Sequence, residues 1–539
     1  MTRPTSLSQG PDLKMLLPPT LHTSIFDTNT PSYCQQVTMW GTIALAVTVL
    51  VILCCMANFR PSGFPQGPFA LPLLGNIVSI LLYSPPVALQ KFADKYGGIL
   101  SFKTFGRWNV LITDVEIMKT ALASSVFSDR IDLLLFDVRD QIIMGDKWAR
   151  LGIISTSGEV WKNQRRFTLR SLKDLGFGRQ SIEPIMRSEL EDLLEYFSRR
   201  QGQKLDIGLV FNKSIVNVIW ALVIGKRFSH TDARLHQLVD KVNKMIQSFN
   251  PFHPALQWRW FKKLFPNLKI IRETEGYMVN FLKFIEEEMA QHQLETGGVD
   301  DSTSYIGAYQ LEMKEAAQEG RETPLTLPHL KANVLELFLA GSETTSTSLW
   351  WAVYLLASNP KVQQTMQEEL DQVVGRDNLP TLDHMDSVPY TTAAIYEVQR
   401  VGDLVPISIP HQTSQDTVLG EYNIPKGTCV LFNLSGALKD PRYWKHPDRF
   451  WPEHFLTPEG KVFKPEPFLP FGSGKRVCLG ESLARLELFL FITTLVHKFS
   501  WRLSDDPVVW HKSNIVTRPP SYTVIATSRK DDPTPTLKR

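Results

Sequence analysis

Residues 1–36 are rich in Pro, Ser, Thr and Gln without an apolar period, which predicts a disordered tail. The run over 39–57, MWGTIALAVTVLVILCCMA, carries no charge. At about 1.5 Å per residue it reaches roughly 28 Å, close to a bilayer core, so a transmembrane anchor is placed at 37–58. It begins too far into the chain, and lacks the preceding basic stretch, for a cleaved signal peptide. Arg60 follows it while the tail carries few charges, and the positive-inside bias then puts the bulk of the chain in the cytosol. Next comes FRPSGFPQGPFALPLLGN, with prolines at 61, 65, 68 and 72, predicting a stiff, extended linker over 59–76.

Residues 77–528 are read as one folded domain and 529–539 as a flexible tail. ILSFKTFG and WNVLIT pattern as two strands of a hairpin around Gly106 and Arg107. From about 160 onward helical periods dominate, with amphipathic stretches over 183–200, 234–248, 268–292, 329–357 and 360–374. GEYNIPKGTCVLFNL is strand-like, and QLETGGVDDSTSYIG over 293–307 is a surface loop between helices. No repeat period is visible. The fold class is therefore mainly α with a minor β region.

Composition narrows the function. The chain is 43% hydrophobic and 21% charged, an ordinary globular balance, and a net charge of +3 gives no reason to expect nucleic acid as a partner. Its 5 cysteines are an odd number, with no C-x-x-C pair, against a disulfide framework or a zinc knuckle. Cys54 and Cys55 lie in the apolar run and Cys429 in GTCVLF, positions that suit a small hydrophobe. Cys478 differs, because it lies in FGSGKRVCLG among glycines and cations.

That stretch is not a phosphate loop, since Arg476 stands where Ser or Thr should follow the lysine. The next run, LARLELFLFITTLVHKF, is helical, so Cys478 lies near a helix N-terminus with Arg476 two residues before it, and both features favour a thiolate. Gly474 and Gly480 permit close backbone approach, Phe471 can cover a flat partner, and Arg476 offers a fork to a carboxylate. A flat ligand that carries carboxylates and a metal wanting sulfur is a haem. In the helical run NVLELFLAGSETTSTSLWWAVYLL, Ala340, Gly341 and Thr344 fall at i, i+1 and i+4. Gly341 is small enough to admit dioxygen, and Thr344 can bond back to the carbonyl of residue 340 and loosen the helix. Glu397 and Arg400 of EVQR can pair at i, i+3. In WKNQRRFTLRSLK, Trp161, Arg165, Thr168 and Leu172 share one face, while Arg166, Arg170 and Lys173 cluster on another.

FGSGKRVCLG resembles the haem-binding signature of cytochrome P450 monooxygenases at every fixed position. The resemblance runs over roughly residues 61–528 with several motifs in the family's order, and implies the cytochrome P450 fold behind one transmembrane helix. It implies haem b as cofactor and Cys478 as the proximal thiolate, which pushes electron density to iron. Trp161, Arg165, Arg476 and the His411 of SIPHQT would contact the haem propionates, and Glu343 with Thr344 would pass protons. FWPEHF resembles the segment that completes a buried charge cluster with Glu397 and Arg400, but with His454 where arginine is more usual, leaving the cluster's charge dependent on histidine protonation.

AGSETTSTSLWWA, VQRVGDLVP and ELFLFITTL resemble the animal microsomal group, which includes steroid-, fatty-acid- and drug-oxidising members and arthropod ecdysteroid-oxidising members. A lipophilic substrate follows, within walls expected from Leu337, Ala340, Gly341, Val405, Pro406, Ile407, Ile515 and Val516. The segment over 131–148 should cap that pocket, although it does not align with the family. QWRWFKKLFP over 257–266 reads either as an interfacial segment in contact with membrane lipid or as a packed helix connection. No nucleotide-binding glycine fingerprint follows a strand, so the electrons should come from a separate NADPH-cytochrome P450 reductase, with cytochrome b5 as a further donor and the second face of WKNQRRFTLRSLK offering cations to an acidic one. The expected location is the endoplasmic reticulum membrane, catalytic domain toward the cytosol. A haem-thiolate isomerase or dehydratase, and a non-catalytic haem sensor or lipid carrier, are the alternatives; neither has much use for the Glu343–Thr344 pair.

Overall fold

Helices dominate the computed structural model, which describes residues 33–145, 149–248, 264–295, 302–509 and 516–529. The expected tails and most of 257–266 lie outside the described residues, as do Ile515 and parts of the segments over 131–148 and 293–307. Two compact units are present, Met1–Met56 and Ala57–Arg539. Helix Tyr33–Asn58 covers the expected anchor and begins inside the stretch read as tail; its Val37–Asn58 part is long and apolar enough to cross a membrane.

The proline-rich lead-in is not a free linker, because it is folded onto the first strand of the larger unit. The Asn58 side chain bonds the carbonyl and amide of Ala70 at 2.9 and 2.8 Å, and Arg60 Nε donates to Ser101 Oγ at 3.2 Å. Backbone packs so closely at Gly67 that a Cβ there would lie 1.7 Å from the Ser101 carbonyl oxygen. These contacts put the start of the folded unit before residue 77.

The amphipathic stretches form helices Glu183–Ser198, Ala233–Ser248, Lys269–Glu295, Leu327–Ser358 and Pro360–Val373. The 32-residue Leu327–Ser358 is the central helix. It buries residues on nearly every side, and its Phe338 ring lies 4.8 Å from that of Trp220 on helix Val210–Ile224. The segment expected as a capping loop contains a helix, Leu134–Met144. The hairpin joins Ile99–Thr104 to Arg107–Ile112 through Phe105 and Gly106, both at positive φ, so Arg107 already pairs with Thr104 instead of forming the turn.

A mixed sheet sets up the site. Its order is Ile99–Thr104, Arg107–Ile112, Cys429–Phe432, His411–Gln412, Asp129–Arg130. Arg107–Ile112 runs parallel to Cys429–Phe432, and the other pairs are antiparallel. The last pairing sets Arg130 directly opposite His411.

Candidate functional site

Cys478 lies in a loop that glycine permits. Gly472 and Gly474 have φ of 69° and 68°, and a Cβ on Gly474 would meet the Leu122 carbonyl oxygen at 2.0 Å. The Cys478 amide donates to the Phe471 carbonyl at 3.0 Å. Helix Glu481–Lys498 begins just beyond; the Glu481 amide donates to the Cys478 carbonyl at 3.5 Å, and the backbone of Gly480 and Glu481 favours the ionised sulfur, as free amides at a helix N-terminus can. Cys478 is a free cysteine with open surface, yet its thiol is desolvated and burial raises its pKa. Both hold if the sulfur borders a hollow within the fold. The cation that favours its ionised form is Arg165. Arg476, expected in that role, is drawn away by backbone carbonyls, and half-buried Phe471 packs under the Arg485 guanidinium at 5.0 Å.

Arg476 donates to the carbonyls of Ser128, Ile153 and Thr156 at 2.8, 3.1 and 2.5 Å, and lies 3.8 Å from the centre of the Trp161 ring. Arg165 donates to the Val477 carbonyl at 2.7 Å and Arg130 to that of Ile409 at 2.8 Å. His411 Nδ1 donates to the Phe127 carbonyl at 2.6 Å. The helix Gly158–Asp174 behaves as its pattern predicts: Trp161, Thr168 and Leu172 are buried and Arg165 half-buried, while Arg166, Arg170 and Lys173 are exposed.

These cations repel one another with little compensation. Burial, then the charges of Arg130 and Arg165, pushes Arg476 down to about 8; burial, then Arg165, pushes Arg130 down to about 9. Burial and Arg130 hold His411 well below its ordinary range. Arginine stays charged in folded proteins, so the strain is one that bound negative charge would relieve. The buried Trp161 Nε1 and Arg130 Nε also have no partner among the described residues, and orphan donors of this kind call for an acceptor. A ligand with several carboxylates, held across from a sulfur, fits this set. Arg130 was not visible as a site residue in the sequence, because it stands in a two-residue strand and belongs to no motif.

Around this cradle a second group was also missed. Glu336 on the central helix accepts the amides of Ile153 and Ile154 at 2.6 and 2.9 Å and pairs with Arg139, which also reaches Asp140 and the Leu151 carbonyl, at 2.7 and 2.6 Å respectively. It fixes the turn whose carbonyls receive Arg476. Burial pushes Asp140 up to about 6. The signal available was charge out of place: a glutamate inside LELFLAG and an Arg–Asp pair inside an apolar run.

On the central helix, the hydroxyls of Ser342, Thr344, Ser346 and Ser348 bond back to the carbonyls of Phe338, Ala340, Ser342 and Thr344 at 2.6, 2.6, 2.7 and 2.9 Å. Ala340 is exposed although Phe338 and Ser342 are buried, which places it against the same kind of internal hollow. Glu343 points elsewhere: 3% exposed, it is paired with Arg518 and approached by Asn212 Nδ2 and Thr347 Oγ1, both at 3.4 Å. Successive helix residues diverge by about 100°, and the Glu343 and Thr344 side chains bond to different partners. At Gly341 a Cβ would lie 2.8 Å from Ile219 Cδ1, so the glycine lets helix Val210–Ile224 pack closely against the central helix. Leu337, Val405, Ile407 and Val516 are half-buried, and Pro406 is buried with its carbonyl bonded to the Ser435 amide at 2.9 Å. Thr345 Oγ1 bonds Glu487 at 3.1 Å, tying this turn to the helix that follows Cys478.

Glu397 and Arg400 form the expected pair, with two contacts of 2.7 Å and both side chains 0% exposed. Arg400 also donates to the carbonyls of Leu438, Pro447 and Arg449. His454 Nδ1 lies 3.2 Å from Glu397, while its Nε2 accepts the His446 amide at 3.2 Å. His454 thus joins the cluster through a contact at each ring nitrogen.

Comparison with known proteins bears on this geometry. The family profile described as Cytochrome P450 matches residues 65–526. The chain is 34% identical to Cytochrome P450 2J3 of Rattus norvegicus over 90% of this chain and 95% of the relative. It is 36% identical to Cytochrome P450 2J2 of Homo sapiens, covering 82% and 86%. It is 33% identical to Cytochrome P450 2L1 of Panulirus argus, covering 87% and 96%.

Proposed function

The chain belongs to the cytochrome P450 family of haem monooxygenases, and from that premise we propose a membrane-anchored enzyme that hydroxylates a lipophilic substrate, with Cys478 as the axial ligand of haem iron. The observation that carries this reading is a desolvated free thiol, fed by helix amides, beside guanidinium groups whose charge is poorly compensated. Bound haem b supplies the reductive activation of dioxygen, with electrons from NADPH through NADPH-cytochrome P450 reductase and cytochrome b5 as a further donor.

The chain's own groups divide the remaining work. The amides of Gly480 and Glu481, with the charge of Arg165, favour the thiolate against its burial. Arg130, Arg165 and Arg476, with Trp161 and His411, would hold the haem carboxylates, and Phe471 would pack against the group near Cys478. Thr344 Oγ1, which donates its hydrogen bond to the Ala340 carbonyl, could donate toward the hollow instead, and Glu343, held apart by Arg518 and Asn212, would have to turn toward it to resupply the proton. Leu337, Ala340, Val405, Ile407 and Val516 offer apolar walls that exclude water and select for hydrophobicity. A steroid such as an ecdysteroid, a fatty acid or a xenobiotic meets that requirement. Arg166, Arg170 and Lys173 give an acidic reductase an exposed cationic face. The apolar helix supports a single-pass anchor in the endoplasmic reticulum membrane, with the catalytic domain in the cytosol.

The test is the carbon-monoxide difference spectrum of the reduced full-length protein and of Cys478→Ala, followed by a panel of steroids, fatty acids and drugs read as spin-state shifts. We expect the red-shifted Soret band of thiolate ligation in the wild type alone. Folded wild-type protein without that band would overturn the assignment of Cys478.

A further inference from the structure

We propose that Arg518 is a positioning residue that latches Glu343, and so governs how well the proton supply through the central helix is matched to substrate oxidation; this rests on the monooxygenase reading above. Glu343 is almost wholly buried, and its charged contact is Arg518. The two stand far apart in sequence, and the guanidinium is brought in by the loop before the last strand. That loop is fastened to the rest of the fold on two sides. The Thr517 carbonyl accepts Trp351 Nε1 at 3.0 Å, the Thr517 amide donates to the Leu404 carbonyl at 2.8 Å, and Tyr522 Oη donates to the Trp350 carbonyl at 2.6 Å.

Asn212 reaches the same carboxylate from helix Val210–Ile224, so three elements converge on one acid. The Glu343 side chain is 4% exposed and that of Arg518 35%, which places Arg518 between the acid and solvent. The same loop carries Val516, a residue of the apolar wall, so one segment touches both substrate space and acid. Buried ion pairs gain little stability over an apolar packing. Stability alone therefore does not account for an arginine here. Its removal leaves a buried carboxylate without counter-charge, free to turn from its place beside Asn212. That turn alters what stands behind Thr344.

Arg518→Ala, Arg518→Lys, Glu343→Gln and the Arg518→Ala/Glu343→Gln double variant are made in the full-length, haem-loaded protein. Each is scored for the thiolate Soret band, for peroxide released per NADPH, and for melting temperature. The expected result is a several-fold rise in peroxide for Arg518→Ala, little change for Arg518→Lys, and no further rise when Arg518→Ala is added to Glu343→Gln. Melting losses of the two single variants should be non-additive, which reads the pair without reference to turnover. An unchanged peroxide fraction in Arg518→Ala, an equal rise in the Glu343→Gln background, or additive melting losses would each overturn the latch. If Arg518→Ala does not fold, Arg518→Gln takes its place in the same cycle. Loss of the thiolate band in the wild type would instead defeat the monooxygenase reading, while the melting cycle would still report on the pair.

Discussion

Gly474 and Gly480 flank the same cysteine under different constraints. Gly474 is held at φ 68° with backbone 2.0 Å from where a Cβ would stand, whereas Gly480 has φ −82° and only the Cys478 sulfur, at 3.8 Å, in that direction. Gly474→Ala should therefore abolish the thiolate Soret band, at a cost above about 2 kcal/mol. Gly480→Ala should keep the band and melt within a few degrees of wild type. A reversed order in the two spectra would show that the loop is shaped by something other than these contacts. At Thr344 the expectation concerns chemistry. Thr344→Ala removes the bond to the Ala340 carbonyl and should retain haem while diverting reducing equivalents to peroxide. An unchanged product yield per NADPH would take Thr344 out of the proton path.

At the scale of elements, buried charges join pieces that the chain order keeps apart. Helix Pro389–Gly402 is fastened to the segment around His454 through Glu397 and Arg400. Arg400→Ala strands the Glu397 carboxylate and should cost about 3–5 kcal/mol in denaturant unfolding. His454→Gln, which keeps a donor, should cost about 1 kcal/mol. Glu487 behaves differently, since among the described residues it is buried with one hydroxyl partner and no cation, and burial lifts it from 4.5 to about 8. A folded value above the unfolded one means that the native state holds the proton more tightly. Its contribution is complete below the unfolded value and is lost as pH rises through the folded one. Glu487→Gln should then match wild type in melting below about pH 4.5 and exceed it by several degrees above pH 8. Parallel melting curves across that range would mean that the carboxyl is compensated.

These cases explain what the sequence could reveal. Helices such as Glu183–Ser198 and Pro360–Val373 were legible because each presents one apolar stripe to the core at a regular period. Leu134–Met144 was not, since its Asp137, Arg139 and Asp140 are buried among apolar neighbours and Arg139 finds its second carboxylate, Glu336, far away in sequence. Cys478 announced itself through its glycines and cations. Arg130 could not, because it gains meaning only when a two-residue strand brings it to His411. The direction of Glu343 was hidden for the same reason, as its partners lie on two other elements.

For the whole molecule, the division at Ala57 predicts that a chain beginning there folds by itself. Such a truncation should keep the thiolate band and lose most, but not all, of its sedimentation with phospholipid vesicles. The unit from Ala57 still shows water Phe59, Phe69, Leu73 and Leu82, which are 77%, 62%, 82% and 67% exposed. Replacing Leu73 and Leu82 by Asp in the truncated chain should remove the remainder; a fraction that persists would place the second contact elsewhere. The parallel pairing of Arg107–Ile112 with Cys429–Phe432 also sets a timetable for synthesis. A ribosome releases the first hairpin early, and its inner edge stays open until the late strand emerges. Chains that stop before residue 429 carry that edge with nothing to close it, and are set to stick to one another. His411 and Cys478 leave the ribosome in the same late stretch as the closing strand, so neither the sheet nor the thiol site is complete before the final phase of translation.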